Sequence, residues 1–166
     1  MTKPSGTTRA KVATQETAFE KQRGISQIEV RSGFAQVHIS QLSEPLHDNR
    51  LIVLKSVAEA GVSVDFLKLT PSGLSFVITE ANCSDIERAL DPLGFKHTIR
   101  KDRCVVLVHA VNMRDEEGLT AQVVQQAIAS GAIVDHVSDM HDRMLIVAEA
   151  KYAATLQEAF REVANV

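Results

Sequence analysis

The stretch Glu59-Ala-Gly-Val-Ser-Val-Asp-Phe-Leu returns, loosened, as Ala129-Ser-Gly-Ala-Ile-Val-Asp-His-Val, placing Gly61 and Asp65 seventy positions ahead of Gly131 and Asp135. Repetition at a fixed spacing restricts a fold more than composition does, because one supersecondary unit has to be built twice. Around each copy the order of patterns is the same: an apolar strand, a loop, a helix stopped by Gly, a strand opening on Val-Asp, another apolar strand and another helix. The 166 residues hold two small units of about 70 residues each.

Residues 1–24 carry only Val12 and Phe19 as larger apolar side chains, too few to repay ordering, and read as a mobile tail. Ile25 to Arg31 then reads as a strand, Ser32-Gly33 as a break, and Phe34 to Ser40 as a second strand by its alternation. Asp48-Asn49 offers helix N-caps, Leu51, Leu54 and Ala58 mark one helical face, and Gly61 ends the helix. Val62 to Thr70 and Leu74 to Thr79 form a hairpin around Pro71-Ser72-Gly73, followed by a helix with Ile86, Ala89, Leu90 and Leu93 inward. Phe95 to Lys101 and Cys104 to Val111 are strands on either side of Asp102. The second copy continues with a loop from Asn112, a helix burying Val123, Val124, Ala127 and Ile128, a hairpin of Ala132 to Ser138 with Arg143 to Ala148, and a last helix lined by Leu156, Ala159, Phe160 and Val163.

The pattern is βαββα twice with a strand left over. Phe95 to Lys101 closes the first unit, and Ile25 to Arg31 is the natural strand to close the second. The first unit, residues 34–101, is therefore expected to be inserted into the second, residues 25–33 with 102–166. Several strands are apolar on both faces: Val105, Leu107 and Val111 oppose Val106, Val108 and Ala110. An antiparallel sheet with helices on one side normally shows a polar second face. A partner sheet, from the other unit or from a second chain, is needed to cover it, and a homo-oligomer, most simply a C2 homodimer, is expected.

The net charge of -3, with both signs interleaved, provides no field for a phosphate backbone, and a single Tyr with no Trp leaves few stacking platforms, so nucleic acid is not an expected partner. No apolar run reaches the roughly 18 to 20 residues of a membrane span, so no membrane partner is expected. Cys83 and Cys104 sit in unlike contexts and read as reduced thiols in a cytoplasmic protein. No phosphate loop, nucleophile elbow or metalloprotease pattern occurs, so neither an enzyme nor a cofactor is expected.

Phe34-Ala-Gln-Val-His-Ile, Ala60-Gly-Val-Ser-Val-Asp-Phe-Leu and Gly118-Leu-Thr-Ala-Gln-Val-Val-Gln-Gln-Ala-Ile-Ala-Ser-Gly-Ala resemble tandem ACT domains. More narrowly, Ile25 to Val166 resembles the C-terminal regulatory region of aspartate kinases without the kinase, or the small regulatory subunit that some of them keep as a separate chain. The resemblance implies an α+β fold of two ferredoxin-like βαββαβ ACT units, one inserted in the other. It also implies binding of a free amino acid, of the Lys or Thr class, at a unit interface, with a metabolic enzyme on another chain as partner. Carried onto this chain, the ligand-binding positions are Asp48, Asn49 and Arg50 at the loop-to-helix junction and Ser63, Val64 and Asp65 at the next strand. A helix N-terminus supplies an anion site, and an Asp with strand carbonyls a cation site, for a zwitterion. Relatives usually carry Gly where Asp48 or Asn49 stands, so a side chain here competes with a bound carboxylate. The second unit keeps Gly118 and places Asp135 at the position matching Asp65.

Each of these residues also has a plain structural reading. Asp65 and Asp135 serve equally as turn-capping carboxylates, and Cys104 as a structural thiol. His38 and His109 serve as packing residues, and the run from Arg114 to Glu117 as a solvated loop. Asp135, His136, Asp139, His141 and Asp142 are metal-ligating types, yet on a hairpin His136 and His141 need not converge, and no metal is expected. Two alternatives stand beside the regulatory reading: a ligand-free dimerisation or docking module, and a small metal-binding protein of ferredoxin-like fold.

Overall fold

The first strand is longer than its sequence implies: Ile25–Ile39 (β1) runs unbroken through Ser32-Gly33. A computed structural model describes residues 24–110 and 117–164; residues 1–23 of the expected tail and most of the loop from Asn112, with Arg114 to Glu116, lie outside the described residues. After β1 come α1 (Leu46–Glu59), β2 (Phe66–Thr70), β3 (Gly73–Thr79), α2 (Cys83–Leu90) and β4 (His97–Ala110). The second half adds α3 (Leu119–Ala129), β5 (Val134–Asp139), β6 (Arg143–Glu149) and α4 (Ala153–Ala164). The six strands form one antiparallel sheet in the order β2-β3-β1-β4-β6-β5.

The two central strands each serve both halves. Phe34–Ile39 pairs with β3, while Ile28 to Ser32 pairs with Cys104 to Val108 of β4. Cys104 to His109 in turn pairs with β6. Each half thus has the strand order last-first-third-second of a ferredoxin-like βαββαβ unit, with the first unit inserted after the leading strand of the second, as the sequence implies. The breaks expected at Gly33 and Asp102 are irregularities inside continuous strands: both residues take positive φ, 84° and 54°, and the register shifts beside Gly33. A bulge of this kind adds a residue and changes which alternate side chains face the helices. Ile28 and Val30 point to the helices before Gly33, and Ala35, Val37 and Ile39 after it.

The helices cover the outer face in two clusters. Val37, Ile39, Val53, Val57, Phe76 and Ile86 centre the first, under α1 and α2. Val106, Val123, Met144, Ile146, Leu156 and Phe160 centre the second, under α3 and α4. Cys83 and Cys104, both unbonded thiols, lie buried in different clusters. The opposite face carries a third cluster of Phe34, Val77, Val105, Leu107, Leu145 and Val147, against which Phe66 packs. The sheet curls until its edges approach, and the Phe66 ring on β2 stacks on His136 of β5 with centroids 3.8 Å apart. The second apolar face is therefore covered by the other half of the same sheet, which removes the need for a second chain on that face.

The helix faces differ from expectation. Val53 and Val57 bury α1, while Leu51 is 52% exposed; in α3, Val123 and Ala127 are buried and Ile128 is 68% exposed. In α1 the sheet takes Val53 and Val57, with the expected Leu54 packed beside them, and in α3 it takes the expected Val123 and Ala127 with Val124 beside them, leaving Leu51 and Ile128 out. Val64, Leu67 and Leu69 at the β2 edge are also exposed.

Candidate functional site

At the first loop-to-helix junction the helix starts earlier than Asp48-Asn49 implies. Pro45 is the N-cap, and the Glu44 carboxylate accepts a 3.0 Å hydrogen bond from the Leu46 N–H. An acidic side chain already occupies this N-terminus, where the helix dipole favours negative charge. Asp48 lies in the first turn and Asn49 just after it. Asn49 ties the loop to the helix, its Nδ2 donating to the Ser43 carbonyl at 2.9 Å. Arg50 turns sideways: its Nε donates to the Gly73 carbonyl at 3.1 Å and its Nη2 to the Thr70 carbonyl, pinning the β2–β3 turn.

Ser63, Val64 and Asp65 are exposed at the other end of α1, where the chain enters β2. Asp65 N–H donates to the Val77 carbonyl at 2.9 Å, extending the β2–β3 ladder by one residue. The guanidinium of Arg31 contacts Glu29 at 2.7 Å, which raises its pKa, and the charge of Asp65 from the other unit acts in the same direction. The helix from Asp48 to Glu59 rises about 17 Å at 1.5 Å per residue. The two groups of candidates therefore stand at opposite ends of one edge of the molecule, and no single copy brings them together.

In the second unit, Asp135 has only 4% of its side chain exposed and is held by two arginines from β4, Arg100 Nη1 at 3.0 Å and Arg103 Nε at 2.6 Å. The Arg103 approach is an ion pair rather than an aligned hydrogen bond. The repeated Asp residues thus differ: Asp135 is clasped by arginines, whereas Asp65 is exposed and makes no ion pair among the described residues. Gly118 is the N-cap of α3 with φ 81°, its carbonyl accepting from Gln122 N–H at 2.8 Å. Beside Asp135, burial lowers the pKa of His136 to about 4, helped by the charge of Lys68, and its Nε2 has no hydrogen-bond partner among the described residues. No group of three metal-ligating side chains converges among the described residues, and none of the described helices is long and apolar enough to cross a membrane.

The chain is thus built of two interlocked ferredoxin-like units in a single curled sheet, with helices on its outer face. Among solved structures, the chain is similar to the ligand-free regulatory subunit of aspartate kinase from Thermus thermophilus, at 18% identity and a TM-score of 0.74, covering 84% of this chain and 97% of that one. It is also similar to a putative C-terminal regulatory domain of aspartate kinase from Porphyromonas gingivalis, at 17% identity and a TM-score of 0.69, covering 83% and 96%. A third is E. coli aspartokinase III in complex with lysine and aspartate, at 10% identity and a TM-score of 0.70, where 87% of this chain spans 34% of that one. No family model matches the chain, and no curated protein matches it in sequence. At these identities the likeness establishes the fold.

Sequence reasoning missed Glu44, Arg100 and Arg103. Glu44 sits just before Pro45, a cue for an N-terminal acid. The two arginines lie 35 and 32 positions from Asp135 on a strand that carries no local sign of the pairing.

Proposed function

We propose that this chain is a free-standing regulatory module that binds a small amino acid of the Lys or Thr class and controls an enzyme on another chain, such as an aspartate kinase. The observation that carries the reading is that the two-unit fold overlies 97% of a separate aspartate kinase regulatory subunit. The geometry gives it a form. Asp48, Asn49 and Arg50 mark one end of the α1–β2 edge and Ser63, Val64 and Asp65 the other, so a second copy running antiparallel along that edge would set one group against the other. The exposed Leu51, Val64, Leu67 and Leu69 provide the apolar surface for such a homodimer. We place the unit boundaries at the two backbone irregularities, Gly33 and Asp102, giving residues 34–101 and residues 25–33 with 102–166, in a cytoplasmic protein.

Asp135 supports a narrower role for the second unit, since a carboxylate already held by two guanidiniums is a poor partner for a ligand ammonium. Binding is therefore assigned to Asp65 rather than Asp135. Thermal shifts against the twenty amino acids test this: stabilisation by Lys or Thr that disappears in Asp65→Ala and persists in Ser130→Ala supports it. The ligand-free docking module is the second reading, favoured by the Glu44 carboxylate already at the N-terminus of α1; the absence of any shift would establish it in place of the first.

A further inference from the structure

The duplication copied a groove as well as a fold. Gln126, Ala129, Thr155, Glu158, Ala159 and Glu162 line a cleft between α3 and α4, and each of its lining positions falls seventy after a lining position of the cleft between α1 and α2. The two clefts differ in charge. Glu59, Asp85, Arg88 and Pro92 of the first give way to Ala129, Thr155, Glu158 and Glu162 in the second, so each lining holds two acids and only the first holds a base. Glu158 contacts Arg161 at 3.2 Å, and Glu162 has no ion-pair partner among the described residues. The floor of the cleft, at Ala129 and Ala159, is small enough to admit a larger side chain.

The 23 residues that precede the described structure have complementary chemistry: five basic residues, Lys3, Arg9, Lys11, Lys21 and Arg23, against two acids, with Phe19 as the largest apolar side chain. Their exit point fits as well. Ile25 pairs with Ala110, and α4 runs back against β1 and β4 after the short turn that follows β6, which brings its C-terminal end to the same end of the sheet. Phe19 lies five residues before Gly24, a reach of about 17 Å extended. Glu158 lies six residues before Ala164, about 9 Å along the helix. A chain leaving Gly24 can therefore double back along the cleft.

We propose that residues 1–23 dock in the α3–α4 cleft of their own chain, with Phe19 against Ala129 and Ala159 and with Lys21 and Arg23, on its C-terminal side, against Glu158 and Glu162. The α1–α2 cleft serves as an internal control, because Arg88 beside Glu59 and Asp85 makes its lining less acidic than that of the α3–α4 cleft. The test is paramagnetic relaxation in the full chain carrying a nitroxide at Thr17→Cys, Cys83 and Cys104 being buried. Signals of Ala129, Ser130 and Ala159 are expected to broaden several-fold more than those of Ala60 and Ala89. The difference should weaken in molar salt, where surface attraction is screened, and disappear in Glu158→Lys with Glu162→Lys. Glu162→Gln, which leaves the Glu158–Arg161 pair intact, should weaken it in the same direction. Equal broadening of both clefts, no broadening at either, or broadening that vanishes on dilution with unlabelled protein, which would make a second copy the occupant, overturns the proposal.

Discussion

Asp135 shows how one residue can look like a ligand site in sequence and act as a clasp in the structure. Its carboxylate is nearly fully covered and joins β5 to Arg100 and Arg103 of β4. Removing one member of a buried pair leaves an uncompensated charge. Asp135→Asn is expected to cost about 2–3 kcal/mol in urea unfolding, since Arg103 keeps only 11% of its side chain exposed. The neighbouring His136 gives a pH signature. Its folded pKa of about 4 lies below the ordinary value of 6.5, so the unfolded chain takes up the proton first. Stability therefore does not depend on this group above pH 6.5, falls as the pH drops from 6.5 toward 4, and levels below that. After discounting for solvent at a partly buried site the loss is on the order of 1–2 kcal/mol. His136→Phe, which keeps the stack on Phe66, should flatten that part of the stability profile; an unchanged slope would place its origin elsewhere.

Among the elements, the helices and hairpins were largely legible because their signals are local: Gly61 and Gly131 follow helices, and Pro71-Ser72-Gly73 joins β2 to β3. What was not legible depends on partners distant in sequence. Ser32-Gly33 reads as an end of strand, but pairing with β4 on one side carries β1 through it. The α1 stripe of Leu51, Leu54 and Ala58 is as apolar as that of Val53 and Val57, and only the position of the sheet decides which is buried. Of the candidate residues, the sequence did not reveal that α1 holds Asp48 and Asp65 at opposite ends. The β2–β3 turn supplies a sharp test. A Cβ on Gly73 would stand 1.9 Å from the Ile39 carbonyl oxygen, a backbone atom that cannot swing aside. Gly73→Ala is expected to destabilise the first unit by about 3 kcal/mol or more, or to abolish folding, as read by circular dichroism and urea titration.

In the whole molecule, a single sheet curled on itself joins the two units through their inner faces and leaves the β2 edge with apolar side chains in the open. An exposed edge strand is a template for another strand unless it is blocked or paired. Lys68 is the single charged residue of β2, and Leu67 and Leu69 flank it in the open. Leu69→Glu should leave the far-ultraviolet spectrum unchanged while shifting any dimer to monomer, because it lies outside the core clusters. Closing that edge with a second copy is also what would bring Asp48 to Asp65, so ligand and assembly should be linked. The most direct measurement is sedimentation velocity of the full chain near its dimer midpoint, titrated with lysine and with threonine. The account predicts that one of them raises the dimer fraction, and that Asp65→Ala or Leu69→Glu removes the effect. Saturable binding with no change in the monomer–dimer ratio would contradict it.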